Sequence, residues 1–175
     1  MKLHLGCGER FIEGFIHVDL KDFPHVDRVG RIENLDWVED ETVGLIYASH
    51  VLEHFSRHET KNVLKEWHRV LKNRGILRLA VPDFEAICKV YTWDKSIDAV
   101  KGLVCGGQDY ENNTHRNIFD FESLKEILFQ VGFSEVDKYD WWNTEHAKVD
   151  DYSQAYLPHM NTRGTLMSLN VEATK

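Results

Sequence analysis

Cysteine is scarce in this chain. Cys7, Cys88 and Cys105 are the only three in 175 residues, and no two share a CxxC spacing. An odd, unmatched set fits reduced thiols in a cytoplasm better than a disulfide framework. No apolar run is long enough to cross a bilayer, so no membrane partner is expected. The start of the chain lacks the basic stretch and cleavage site of a secretory signal, which again favours a cytoplasmic location. Basic residues are outnumbered: 21 Lys and Arg face 29 Asp and Glu, a net charge of −8. A general nucleic-acid binder needs Lys and Arg to neutralise phosphates, so no nucleic-acid partner is expected. Internal repeats and low-complexity segments are also missing. The 42% hydrophobic content suits one globular domain over residues 1–175, long enough to bury a core. Histidine is abundant at ten, although any one of them is by default a surface or satisfied core residue.

Apolar patterning gives alternating strands and helices. Strands are expected at 2–5, 15–20 and 42–48, with a weaker one at 26–29. Val63, Leu64, Trp67, Val70 and Leu71 make one helical stripe, with Asn73-Arg74-Gly75 as its basic end and glycine stop. A buried strand at 76–81 closes on Pro82-Asp83. A second helix runs over 121–131, capped by Asp120, with Leu124, Ile127, Leu128 and Val131 inward and Gly132 at its end. A strand is expected near 136–141, then an irregular polar and aromatic stretch to 163. Thr165, Met167, Leu169, Val171 and Ala173 alternate with mostly polar residues, as in an antiparallel strand with one buried face. The whole reads as an α/β fold with a mainly parallel sheet.

In such sheets ligands sit beyond the carboxyl ends of the strands. Four polar or turn elements fall there: Gly6-Cys7-Gly8, Asp19, Ser49-His50 and Pro82-Asp83. Glycines let backbone amides approach a ligand. An acid closing the next strand can accept hydrogen bonds from both hydroxyls of a ribose. Together they read as a nucleoside site.

The same residues carry a family resemblance. Leu3-His4-Leu5-Gly6-Cys7-Gly8, Ile16-His17-Val18-Asp19, residues 45–54, residues 66–72, Gly75 and Pro82-Asp83 resemble the class I S-adenosylmethionine-dependent methyltransferases, in particular the small type 11 domains. Residues 115–133 and 168–173 are similar to the same group. The resemblance implies a Rossmann-like fold with a seven-stranded, mostly parallel sheet, one antiparallel strand and S-adenosylmethionine as cofactor. It places Gly6, Cys7 and Gly8 at the methionine and ribose portion, and Asp19, followed by Leu20, at the ribose hydroxyls. Leu35, Asp36 and Trp37 would flank the adenine, and Ser49 and His50 the methionine end. Two departures stand out. Arg10 replaces the usual third glycine, and only eleven positions separate Gly8 from Asp19. A parallel crossover usually takes a dozen residues or more, so the first crossover helix must be reduced to a stub or loop.

Residues 50–54, His-Val-Leu-Glu-His, also spell the inverted zinc-protease signature H-x-x-E-H. On a helix His50 and His54 would share a face at i, i+4. A position directly after a buried strand, with no third ligand apparent from spacing, disfavours that reading, and no metal is assigned. The plain alternative is a helix start with Leu52 inward and Glu53 favoured by the helix dipole.

Methyl transfer to a hydroxyl needs an aligned nucleophile and a base near neutral pH. His115, in the polar 106–117 loop, is the leading candidate, followed by His54 and His50, with Asp83 to orient the acceptor or act as base. The expected acceptor is a small molecule or a sugar or glycan hydroxyl, as in polysaccharide biosynthesis, by analogy. The alternative is a binding module that retains the fold without chemistry. A dehydrogenase is disfavoured by the incomplete glycine fingerprint. Oligomeric state is not encoded legibly.

Overall fold

A computed structural model describes residues 1–159 and 161–175. Seven strands form one sheet in the order β3-β2-β1-β4-β5-β9-β6. Strands β1 (Lys2–Leu5), β2 (Ile16–Asp19), β3 (Arg28–Val29), β4 (Val43–Ser49) and β5 (Leu71–Pro82) are parallel. Strand β9 (Ser168–Thr174) runs antiparallel to both β5 and β6 (Glu135–Lys138), which is the single reversed strand expected. A short separate hairpin joins β7 (Tyr156–Leu157) to β8 (Thr165–Leu166). The helices are α1 (Thr60–Val70), α2 (Phe84–Asp94), α3 (Lys101–Cys105) and α4 (Phe121–Val131).

The first crossover has no helix at all. Residues 6–15 form only turns, so β1 and β2 are joined by a loop. Helices α1 and α4 cover one sheet face, where Leu3, Leu5, Ile46, Leu77 and Leu79 meet Leu64, Trp67, Leu124 and Leu128. Each fully buried side chain of this size contributes about 1.5–3 kcal/mol. Trp67 keeps its polar end satisfied by donating from Nε1 to the Ile32 carbonyl at 2.8 Å.

The opposite face is polar. His17, His4, Tyr47, Arg78 and Glu172 are successive cross-strand partners, one row across five strands. Residues 141–155 cover this row in place of crossover helices. The Tyr47 hydroxyl donates to Asp151, the Tyr47 ring stacks on His146 at 4.0 Å, and Arg78 bridges Glu145 and Glu172 at 2.6 Å each. Burial and the neighbouring His17 and His146 hold the His4 imidazole down at about 3, so it sits uncharged under this cover.

Several local expectations are corrected. Helix α1 ends at Val70, and Leu71 is already the extended first residue of β5. Asn73-Arg74-Gly75 is therefore no helix stop. It lies where the β4–β5 register jumps from Val43↔Leu71 to Leu45↔Ile76, and a Cβ on Gly75 would stand 2.8 Å from the Lys72 carbonyl oxygen. The expected third strand shrinks to two residues. Strand β6 stops at Lys138, and Trp141 opens a 3-10 turn instead. The alternating C-terminal segment divides into β8 and β9, and Ser168, Leu169, Asn170 and Val171 are all buried. Both faces of β9 are covered there because Asn170 Nδ2 donates to the Ser153 carbonyl on one side while α4 packs on the other. Helix α2, not anticipated, is capped by Asp83, whose Oδ1 accepts from the Glu85 and Ala86 amides. Helix α4 has the residues, cap and glycine end that its sequence implies.

Candidate active site

The turn after β1 is built by backbone that only glycine adopts readily. Gly6 and Gly8 have φ of 64° and 54°. A Cβ on Gly6 would stand 2.4 Å from Val51 Cγ2, so the residue after His50 packs directly onto the turn. Around Gly8 the reverse holds: a Cβ would meet nothing within 4 Å. The Gly8 amide donates to Asp19 Oδ2 at 2.8 Å, and the Lys21 amide donates to Asp19 Oδ1 at 2.9 Å. The carboxylate is thus aimed at the turn with two of its roughly four lone-pair sites used. Two remain for a diol. Burial and the neighbouring Asp19 push the Cys7 thiol up to about 12, so it stays a neutral packing group.

Two exposed aromatic residues stand near this region. Lys21 Nζ lies 3.6 Å from the centre of the Tyr110 ring, and the Tyr152 ring lies 5.5 Å from the Arg10 guanidinium and 5.2 Å from the His50 ring. Grooves of about 560 and 420 Å3 flank α2 at Glu85 and Cys88 and include none of Gly6, Gly8, Asp19, Ser49, His50 or Asp83.

A second group gathers past β4. His50 has a left-handed φ of 53° and donates its amide to the Ala80 carbonyl at 2.7 Å. Residues Leu52–His54 then form one 3-10 turn, so His50 and His54 do not share a helix face. Leu52 packs inward as expected. Glu53 does sit in the first turn of this segment, but it is buried, 1% exposed, with no hydrogen bond to either carboxylate oxygen among the described residues. Its Oε1 is 3.4 Å from His50 Nδ1 and 3.9 Å from His115 Nε2. Backbone bonds bring His115 here from sixty positions away. The Glu53 carbonyl accepts from the Arg116 and Asn117 amides at 2.8 and 3.1 Å, which docks the 106–117 loop on the turn. His54 Nδ1 donates to the Thr114 carbonyl at 3.2 Å, and His115 Nδ1 donates to the Leu103 carbonyl at 2.9 Å. The Nε2 atom of each therefore carries the lone pair. Burial lowers both imidazoles, and burial with His115 and His54 nearby takes His50 down to about 3. Burial raises the Glu53 carboxyl to about 8. The result is a partly enclosed set of neutral imidazoles beside a carboxyl group with no hydrogen-bond partner among the described residues.

The remaining residues fall less tightly together. Ser49 Oγ is buried at the end of β4 without a hydrogen-bond partner among the described residues. Asp83 is committed to capping α2, and no hydrogen bond or ion pair joins it to the histidines among the described residues. Leu20 and Asp36 are exposed, and Trp37 is half-buried beneath the Arg28 guanidinium at 4.9 Å. Leu35 is a core residue whose amide donates to Glu66 Oε1 and whose carbonyl accepts from Arg69. Tyr110, Tyr152 and the inward turn of Glu53 had not been anticipated. The signal for Glu53 was its place inside the H-x-x-E-H string.

Comparison with known proteins gives this arrangement a context. Residues 11–79 match the family model described as a methyltransferase domain. No curated protein matches the chain. A SAM-dependent methyltransferase of Archaeoglobus fulgidus has a similar structure: 17% identity, TM-score 0.62, covering 99% of this chain and 85% of its own. One from Thermotoga maritima gives 18% identity and TM-score 0.58, covering 99% and 81%. The 1,6-didemethyltoxoflavin-N1-methyltransferase of Burkholderia thailandensis, solved with S-adenosylhomocysteine, gives 15% and 0.61, covering 99% and 70%. The chain has the Rossmann-like fold of the class I S-adenosylmethionine-dependent methyltransferases along its length.

Proposed function

We propose that this chain is an S-adenosylmethionine-dependent methyltransferase that methylates a hydroxyl of a small molecule or a sugar. The observation that carries the reading is the Gly8–Asp19 pair: an acceptor-only carboxylate held toward a glycine turn, with open space where a side chain would otherwise stand. The methyltransferase-domain match and the solved neighbours support it. The residues fit the cofactor. Asp19 has free lone pairs for the ribose hydroxyls, Gly6, Cys7 and Gly8 offer backbone at close approach, and Leu20, Asp36 and Trp37 lie beyond the ends of β2 and β3 for the adenine. Leu35 would support that wall from the core. Ser49 and His50 would face the methionine end.

When bound, the cofactor supplies a methyl group on a sulfonium that its positive charge has already activated. The chain's own work is alignment, exclusion of water and handling of one proton. The acceptor oxygen must be held about 3–3.5 Å from the methyl carbon. Nε2 of His115, or of His54, takes the hydroxyl proton, since each keeps Nδ1–H fixed on a carbonyl and is neutral. Asp83, whose Oδ1 caps α2, has Oδ2 left to orient the acceptor. Tyr110 and Tyr152 shield the cleft. A sugar hydroxyl is preferred by analogy with similar small domains. A cytoplasmic site of action is supported by three free cysteines, and no helix among the described residues is long and apolar enough to cross a membrane.

The helix-free first crossover favours one rival, a binding module that has kept the fold and lost the chemistry. Calorimetric titration with S-adenosylmethionine and S-adenosylhomocysteine, followed by a labelled-methyl assay on a panel of sugars, separates the two. Binding with transfer supports the enzyme, and binding without transfer to any acceptor supports the module. No binding of either ligand removes the methyltransferase reading.

A further inference from the structure

We propose that Glu53, His54 and His115 form a binding site for a divalent first-row metal ion of the zinc type. One ligand atom from each already lies within 4.8 Å of the others. Ligands about 2.0–2.1 Å from a tetrahedral zinc sit roughly 3.3 Å apart. The 3.9 Å between His115 Nε2 and Glu53 Oε1 therefore needs to close by well under an ångström.

Two independent features point to a cation here. First, Glu53 is buried with both oxygens unpartnered among the described residues and with Oε1 beside the imidazole nitrogens of His50 and His115, although buried carboxyl groups are normally satisfied. The 3.4 Å separation from His50 Nδ1 does not supply a hydrogen bond. Second, both histidines are oriented as metal ligands usually are. Each spends Nδ1–H on a backbone carbonyl, Thr114 for His54 and Leu103 for His115, which fixes the ring and leaves Nε2 as a donor.

The ligand set selects the metal. Two imidazoles and one carboxylate suit zinc, iron, nickel or copper better than magnesium or calcium, which prefer all-oxygen shells. Three protein ligands leave a fourth position open, the arrangement found where a metal polarises a bound oxygen. His50, whose Nδ1 is 3.4 Å from the same Glu53 Oε1 and whose Nε2 is 3.2 Å from Ser168 Oγ, adds a further nitrogen beside the site. With a metal in place His54 and His115 serve as ligands, and proton acceptance by their Nε2 atoms no longer applies. The site stands whether or not the chain transfers methyl groups, because it rests on the trio alone.

The test is metal binding read without any methyl donor. The chelator-treated, intact protein is titrated with Zn2+ by calorimetry and with Co2+ by visible absorption. The expected result is one ion per chain and the intense absorption of four-coordinate Co2+. His115→Ala and Glu53→Gln should each weaken Zn2+ binding by at least about a hundredfold. Circular dichroism checks that both variants fold. If Glu53→Gln fails to fold, His115→Ala together with the wild-type Co2+ spectrum decides the matter. Failure of the wild type to take up Zn2+ or Co2+ at micromolar concentration, or wild-type affinity in a folded His115→Ala, overturns the site. Loss of S-adenosylhomocysteine binding would instead bear only on the methyltransferase reading.

Discussion

Replacing Asp19 is the perturbation with the most to say about the cofactor site. Its two carboxylate oxygens accept from two backbone amides, Gly8 at 2.8 Å and Lys21 at 2.9 Å, and in the proposed complex also from two ribose hydroxyls. Asn keeps one oxygen but turns an NH2 toward one amide, so one donor faces another. A hydrogen bond to a charged group contributes about 1.5–3 kcal/mol. Losing one such bond to the ribose weakens binding by about ten- to a hundredfold, and losing both, as in Asp19→Ala, by more than a hundredfold. The free protein should lose about 1–3 kcal/mol of stability in either variant, because the turn loses its tie to β2. Calorimetry with S-adenosylhomocysteine on wild type, Asp19→Asn and Asp19→Ala measures the first effect, and urea unfolding the second. An unchanged dissociation constant in a folded Asp19→Ala would refute the reasoning, since no role for the carboxylate in holding a diol would remain.

Three further outcomes follow from the same structure. Gly6→Ala should cost about 2–4 kcal/mol in urea unfolding, because a Cβ there meets Val51 Cγ2 at 2.4 Å and φ is 64°, whereas Gly8→Ala should cost about 1 kcal/mol because only the backbone term applies. Stability should fall on acidification. The His4 imidazole is held down to about 3 from 6.5, so the unfolded chain takes up the proton first; its contribution is complete above pH 6.5 and is lost as pH drops toward 3. At pH 5 the loss from His4 is about 2 kcal/mol, and urea midpoints at pH 7 and pH 5 in wild type and His4→Gln check it. Asp120→Ala should cost about 1 kcal/mol by removing the cap on the Ser123 amide, read as a lower thermal midpoint.

The parts of the fold most legible in the sequence were those whose information is local. Helix α4 carries its cap, stripe and glycine end within thirteen residues, and β4 is one continuous apolar run. Helix α2 carries no such stripe: Ala86 and Ile87 are buried, while Phe84, Tyr91 and Trp93 face outward. Its cap at Asp83 and Glu85 in the first turn were the available signs. The polar row from His17 to Glu172 alternates with apolar neighbours, which reads as a solvent face. Its burial depends on residues 141–155, a stretch with no period to announce that it would lie across the sheet. Asp19 and the glycine turn were legible because they follow strand ends directly. The setting of Glu53 was not, since its burial depends on backbone bonds to Arg116 and Asn117, sixty positions further on. The long-range docking of an irregular loop leaves no periodic mark.

A crystal structure of the protein with S-adenosylhomocysteine tests the central claim most directly. It should show both ribose hydroxyls on the Asp19 carboxylate, the ligand backbone against Gly6–Gly8 and its sulfur facing the histidine side of the cleft. Ligand density elsewhere on the chain, with Asp19 bound only to its own amides, would contradict the account.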